Sequence, residues 1–192
     1  KEIRQNAFRN NADLENVILQ EGVEVIGSRA FRECSNLKNI ELPESLIEIG
    51  ASAFFYDTSL NNVTIPSGIT TINTYTFSYC TSLTNIKLSE GLKTIDSYAF
   101  QYCNDLEEIY IPSSVTSIGN SVFINCTSLS NIEVASGNLN YKYDEASGML
   151  FTTDGTDILF IADAVLRGTN TLTIPEGITS FNIEVNSYAN IT

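Results

Sequence analysis

The side chains that could do chemistry in this sequence are carboxylates, thiols and phenols. Histidine and tryptophan are both absent, which removes the commonest general base and the commonest metal ligand together. Proton transfer would then fall to a carboxylate pair, as in glycoside hydrolysis, and Glu41, Glu133, Asp154 and Asp157 are the residues on offer. None stands in a recognisable pocket motif, and charged loop residues are usually just solvated. The cysteines Cys34, Cys80, Cys103 and Cys126 all occupy one position of a 23-residue spacing. Ligands on a line cannot surround a metal tetrahedrally, so neither a metal nor any other cofactor is expected. A disulfide between adjacent cysteines is geometrically conceivable, but a column of small buried thiols, exchangeable with Asn11 and Asp57 in the same row, is preferred. The phenols are arranged for binding: Tyr56, Tyr79 and Tyr102 share one row, and Tyr75 and Tyr98 share another.

That spacing runs through most of the chain. Phe8, Phe31, Phe54, Phe77, Phe100 and Phe123 are separated by 23 residues at every step. Counting from each Phe as position 0, Ile3, Ile26, Ile49, Ile72, Ile95 and Ile118 fall at −5, and Leu14, Leu37, Leu60, Leu83, Leu106 and Leu129 at +6. A fixed period of this length is the signature of a solenoid whose units pack only on their neighbours. The segment from +6 to +11 alternates apolar and polar residues at its end, as a half-buried strand requires. Successive strands run the same way and predict a parallel sheet. The Ile and Ala four residues apart in I-x-x-x-A-F, as in Ile26 with Ala30, predict a short helical turn on the opposite wall. At −4 the row reads Arg4, Gly27, Gly50, Asn73, Asp96, Gly119, and its Gly, Asn and Asp residues predict a chain reversal at positive φ. Pro43, Pro66 and Pro112 end the strands.

The unit L-x-x-I-x-L-P-x-x-[IVL]-x-x-I-G-x-x-A-F-x-x-C, clearest from Leu37 to Cys80 and from Leu83 to Cys126, resembles the BspA-type leucine-rich repeat. The resemblance implies an α/β solenoid, a right-handed superhelix with a parallel sheet on its concave face and one short strand and one short helical turn per repeat. It also implies a secreted or surface-displayed bacterial or protist protein, often with many more repeats, used for adhesion or contact with a host.

Six repeats occupy residues 1–134. Residues 135–170 read as an inserted β-hairpin element, with Asp154-Gly155 as the turn; two-residue-loop pairing sets Phe151 opposite Ile158 and Met149 opposite Phe160. Residues 171–192 read as a partial or degenerate repeat that lacks a Phe at Asn186, and the unit already in progress at Ile3 leads us to expect a longer parent protein with further repeats or domains.

Ten basic against 23 acidic residues give a net charge of −13, which repels nucleic acid and anionic membrane. The apolar run from Ile158 is interrupted by Asp163, too early for a membrane span. The expected function is therefore a non-catalytic extracellular or cell-surface interaction module with a protein or glycan partner. The outward +10 row, free of the packing rule, is the first candidate surface: Ile18, Glu41, Thr64, Lys87, Tyr110 and Glu133. The +8 row of Asn16, Asn39, Asn62, Asn85, Glu108 and Asn131 reads as side-chain amides bonding along the stack. The second candidate surface is Tyr56, Tyr75, Tyr79, Tyr98 and Tyr102, with Tyr75 and Tyr79, and Tyr98 and Tyr102, as i,i+4 pairs; they suit a protein interface or sugar stacking, or simply shield the wall from water. A spacer that displays another domain is the alternative.

The register has a direct test. Phe77→Ala removes a large side chain from the middle of the column and is expected to cost roughly 3–5 kcal/mol, whereas Ser78→Ala beside it costs little. Chemical denaturation of the two variants checks this, and equal losses would show the phase to be wrong.

Overall fold

The computed structural model describes residues 1–162 and 172–181. Expectations placed on Asn186 and the last residues lie outside them. The chain winds as a parallel-strand solenoid of about seven turns, with two strands in each of the first six coils. Strands are numbered in chain order. The long-strand wall consists of β2 (Asn16–Ile18), β4 (Asn39–Glu41), β6 (Asn62–Thr64), β8 (Asn85–Lys87), β10 (Glu108–Ile111) and β12 (Asn131–Val134). A second wall is made by the two-residue strands β1 (Glu2–Ile3), β3 (Val25–Ile26), β5 (Glu48–Ile49), β7 (Thr71–Ile72), β9 (Thr94–Ile95) and β11 (Ser117–Ile118). Pairing is parallel, one coil on the next: Asn62 faces Asn85, and Ile72 faces Ile95.

The interior is a set of columns. Phe31, Phe54, Phe77 and Phe100 are fully buried, and adjacent rings from Phe8 to Phe123 stack with centroids 5.2–5.9 Å apart and planes within 9°. The isoleucines at −5 from Ile26 onward and the leucines at +6 from Leu37 onward are buried beside them. At one end Phe8 is 38% exposed; at the other, Phe160 closes the column edge-on against Phe123 at 5.9 Å.

The expected helical turns are absent: no described residue is helical, and the α/β reading is corrected to an all-strand solenoid. The reason lies in how the backbone donors are spent. In the first coil the N–H groups of Asn6, Phe8 and Asn10 donate to Ser28, Ala30 and Arg32 of the next coil, while Ala7, Arg9 and Asn11 donate to carbonyls three residues back. The pattern recurs at Arg29, Phe31 and Glu33. Alternate donors are committed between coils, so none remain for an i→i−4 ladder, and a single helical turn is too short to persist alone. The alternation requires left-handed residues at −2 and +2. All twelve are non-glycine with φ of 53–65°: Asn6, Asn10, Arg29, Glu33, Ser52, Tyr56, Tyr75, Tyr79, Tyr98, Tyr102, Ser121 and Asn125.

The positive φ expected at −4 is therefore corrected to −2 and +2. Glycine serves at −4 for a different reason, close approach: a Cβ on Gly50 would lie 2.4 Å from the Ser28 nitrogen. At Asn73 the short-strand sheet is interrupted, and the Asn73 Nδ2 takes the Ile49 carbonyl that a backbone N–H takes in neighbouring coils, as Gly50 N takes Ile26 O.

After Val134 the chain keeps its coil position for a few residues more. Asn138 donates through Nδ2 to the carbonyls of Pro112 and Val115 and accepts through Oδ1 from the N–H groups of Asn140 and Tyr141. The Tyr141 hydroxyl accepts from Ile118 N at 2.9 Å, ending the second wall. β13 (Tyr141–Asp144), β14 (Met149–Thr152), β15 (Asp157–Ile161) and β16 (Ser180–Phe181) form a four-stranded sheet in that order. Phe151 pairs with Ile158 as expected; a bulge after Leu150 shifts the rest, so Met149 faces Ile161 rather than Phe160. The bulge lets Leu150, Leu159 and Phe160 join the solenoid core while Met149, Ile158 and Ile161 build a smaller one. No helix among the described residues is long and apolar enough to cross a membrane.

No disulfide joins the four cysteines, and all are buried. Each thiol donates to the carbonyl of the Phe 26 residues earlier, at 3.0–3.2 Å. Asp57 stands in this row, fully buried, and its Oδ1 accepts from Cys34 N while Oδ2 has no partner. Burial, against the Cys34 hydrogen bond and reinforced by Glu33, pushes its pKa up to about 9. The carboxyl is therefore protonated in the folded chain at neutral pH. The native state thus holds a proton that an unfolded chain releases near the ordinary carboxylate value. Its contribution is complete below about pH 4 and is lost as pH rises towards 9, by up to about 1.4 kcal/mol per unit. Asp57→Cys is expected to flatten this slope and to gain most over the parent at alkaline pH; thermal melts across pH check it, and parallel curves for the two proteins would refute it.

Candidate functional site: two outward surfaces

The sequence-derived candidates fall on two different faces. On the long-strand wall, Glu41, Thr64, Lys87, Tyr110 and Glu133 are all exposed, one per coil and aligned by the parallel register. Between β8 and β10 the backbone ladder stops: the wall divides into sheets β2-β4-β6-β8 and β10-β12. A recess of about 550 Å³ opens there, lined by Asn85, Lys87 and Glu90 on one side and by Glu108, Tyr110 and Glu133 on the other, with Ile86, Leu88 and Ile109 at its base. Lys87 has no ion pair among the described residues. The recess thus combines one free cation, a half-exposed phenol and three carboxylates over an apolar floor. Glu41 lies two coils away from Lys87 and Thr64 one coil away, so neither lines it. The interior rows continue across this seam unchanged, and only the outward +8 row alters there, with Glu108 standing where the flanking coils carry Asn85 and Asn131.

The Asn row bonds along the stack at one step: Asn39 Nδ2 donates to Asn16 Oδ1 at 2.8 Å, whereas Asn62 turns to its neighbour Asn61. Beyond that step the row stays exposed, and Asn85 and Asn131 both reach the recess.

The carboxylates considered for catalysis are not gathered. Glu41 and Glu133 are four coils apart, about 19 Å at the usual strand spacing, beyond the reach of a glycosidase pair. Asp154 accepts from the Thr152 and Thr156 hydroxyls and the Thr156 N–H, which hold its carboxyl below the ordinary range. It is a turn residue.

On the wall of left-handed turns the tyrosines stack in columns between adjacent coils. Tyr56 stacks on Tyr79 at 5.2 Å, Tyr79 on Tyr102 at 4.4 Å and Tyr75 on Tyr98 at 5.1 Å. Phe55 links the columns, edge-on to Tyr75 at 6.3 Å and tilted to Tyr79 at 5.6 Å, and Arg32 lies over its ring at 4.6 Å. Burial and the adjoining Tyr102 raise the Tyr79 phenol above its ordinary pKa. Ring faces turned to one another are closed to a sugar, so this wall offers edges and hydroxyls. All five tyrosines are in the left-handed region, where a bulky L-residue is strained by roughly 1–2 kcal/mol; the same rows use Asn, which tolerates it, at Asn6, Asn10 and Asn125.

Comparison with known proteins agrees with this architecture. The description "BspA type Leucine rich repeat region" matches residues 1–130 in six copies. The chain belongs to the BspA-type leucine-rich-repeat family. Among solved structures, a leucine rich cell surface protein from Faecalibacterium prausnitzii is 31% identical, with a TM-score of 0.77 over 92% of this chain and 47% of that one. The pneumococcal vaccine antigen PcpA, at 23% identity, shares the fold with a TM-score of 0.77 over 87% of this chain and 41% of its own. A leucine-rich repeat protein from Bacteroides ovatus is 31% identical, TM-score 0.60, over 67% of this chain and 38% of that one. The chain thus spans less than half the length of each. No curated protein matches it.

The left-handed turns make a specific demand on Tyr79. Tyr79→Asn trades stacking, about 0.5–1.5 kcal/mol per ring pair, for relief of backbone strain, whereas Tyr79→Val loses the ring and keeps a β-branched residue at positive φ. The valine variant is expected to be less stable than the asparagine variant by about 1 kcal/mol or more, as measured by urea titration; the reverse order would contradict the assigned conformation.

Proposed function

We propose that this chain is a non-catalytic interaction module of an extracellular or cell-surface protein, and that it engages a protein or glycan partner through the recess between β8 and β10. The observation that carries the reading is the coincidence of three things at one place: the backbone ladder is interrupted, the outward rows are free to vary, and Lys87 and Tyr110, from adjacent coils, both line the gap. Tyrosine is a frequent anchor at interfaces, and a lone cation among carboxylates gives orientation as well as attraction. The cell-surface description of the Faecalibacterium neighbour supports the location, and adhesion or host contact is the use that the resemblance to the BspA-type repeat implies. A carboxylate hydrolase is disfavoured by the separation of Glu41 from Glu133.

A spacer role has one observation in its favour: the unbroken Phe column from Phe8 to Phe123 makes a stiff, extendable rod. The two readings part on one variant, because deletion of a whole 23-residue unit shortens a spacer without abolishing its activity.

Lys87→Ala/Tyr110→Ala, probed on arrays of host glycans and extracellular matrix proteins, is expected to lose at least about tenfold in affinity for any partner the parent protein binds, with an unchanged melting temperature because both side chains are exposed. Binding that survives intact in the double variant overturns the assignment to this recess.

A further inference from the structure

In its first two coils the wall of left-handed turns is basic, against the acidic balance of the rest of the molecule; farther along, its charged residues are the buried Asp57 and the half-buried Asp96. The chain's net charge is −13, yet four of its ten basic residues, Arg4, Arg9, Arg29 and Arg32, lie on this wall within the first two coils. Arg9 and Arg32 share Glu33, at 3.6 and 3.0 Å. Arg4 and Arg29 are exposed and have no ion pair among the described residues. In the coils that follow, the same wall carries the two tyrosine columns, and Arg29 shares the −2 row with Tyr75 and Tyr98. The guanidinium patch is followed in the next coil by Tyr56, with Ser52 at −2, and one coil later by the double row of phenols.

Backbone needs do not explain the phenols. The conformation at −2 and +2 is served by Asn6, Asn10 and Asn125, by Ser52 and Ser121 and by Arg29 and Glu33 in other coils, and by tyrosine at 56, 75, 79, 98 and 102, where the bulky ring adds strain. Strain kept where a cheaper residue would do points to a role for the side chain itself.

We propose that this wall is a second docking surface, distinct from the recess between β8 and β10, and that its occupant is an acidic polypeptide segment. Arg4 and Arg29 pair with its carboxylates, and the phenol hydroxyls of Tyr75, Tyr98, Tyr79 and Tyr102 donate to its carboxylate or carbonyl oxygens while their edges cover its apolar atoms. Charge complementarity selects an anionic partner, since this patch is where a negatively charged molecule meets least repulsion. The closed ring faces select a polypeptide over a sugar chain, because a pyranose loses its stacking platform when the rings stack on one another at 4.4–5.2 Å. The same closure disfavours nucleic-acid bases, which need an open aromatic face.

The test uses a fluorescent peptide of alternating glutamate and leucine, its glutamine-for-glutamate counterpart, and a heparin oligosaccharide as three probes of the intact chain. The acidic peptide is expected to bind, the neutral one not, and affinity to fall at least about tenfold when salt is raised from about 0.05 to about 0.3 M. Arg4→Gln/Arg29→Gln and Tyr79→Asn/Tyr102→Asn each lower affinity by at least about tenfold, while Lys87→Ala/Tyr110→Ala leaves it unchanged, which separates this surface from the recess. Should the asparagine pair fail to fold, Tyr79→Phe/Tyr102→Phe keeps the stack and removes only the hydroxyls, and is expected to lose affinity as well. No binding of the acidic peptide, binding insensitive to the arginine pair, binding insensitive to whichever tyrosine pair folds, or capture of the oligosaccharide in its place would each overturn the proposal.

Discussion

The whole structure depends on one arrangement of backbone hydrogen bonds: in each turn, alternate N–H groups are given to the next coil and the others close tight turns within their own. Phe31 N donates to Ala53 O in the next coil, while Ala30 N returns to Gly27 O. Once alternate donors are exported, equivalent residues of successive coils must lie directly above one another. Columns of like side chains follow from that, with phenylalanine rings parallel to within 9°, thiols donating to the same carbonyl in each coil, and glycine where a Cβ would strike the coil below. The interior rows have little freedom to change because each residue is both floor and ceiling for its own kind.

Departures from the repeat are tolerated where the replacement supplies the hydrogen bond that the row needs. Asn73 does so with a side-chain amide, and Tyr141 accepts the N–H of Ile118 where the short strands run out. Asp57 does so through Oδ1, which accepts the Cys34 N–H. In all three cases the residue type changes and the donor or acceptor is conserved in space, as the cost of leaving a buried polar group unpaired requires.

Freedom is left on the outside, and there the two walls differ. The long strands present side chains that answer to no packing rule, and their ladder opens between β8 and β10 to leave a polar recess. The turn wall is dense and aromatic, held at positive φ, with arginines beside it in an otherwise acidic molecule. A repeat protein that belongs to a family with cell-surface members thereby offers two chemically distinct faces, one formed by an interruption of the sheet and the other by the stacking of strained turns.

Much of this was legible in the residues. The period, the Phe, Ile and Leu columns, the buried thiols, the parallel long strands and the Asp154-Gly155 hairpin all follow from side-chain type and spacing, because a column of apolar groups can be satisfied in only one stacking register. The turn wall was not legible: Ile26 and Ala30 have helical spacing, and Gly27 invites a positive φ that the chain places instead at Arg29 and Glu33. Nor could spacing show that a bulge moves Phe160 opposite Leu150, or that the ladder opens beside Lys87. Sequence determined which residues share a row, since that depends only on counting. Tertiary structure alone decided which backbone N–H groups leave their own coil, since the acceptors of those that do lie more than twenty residues away, and that choice set the turns, the strain and the surfaces.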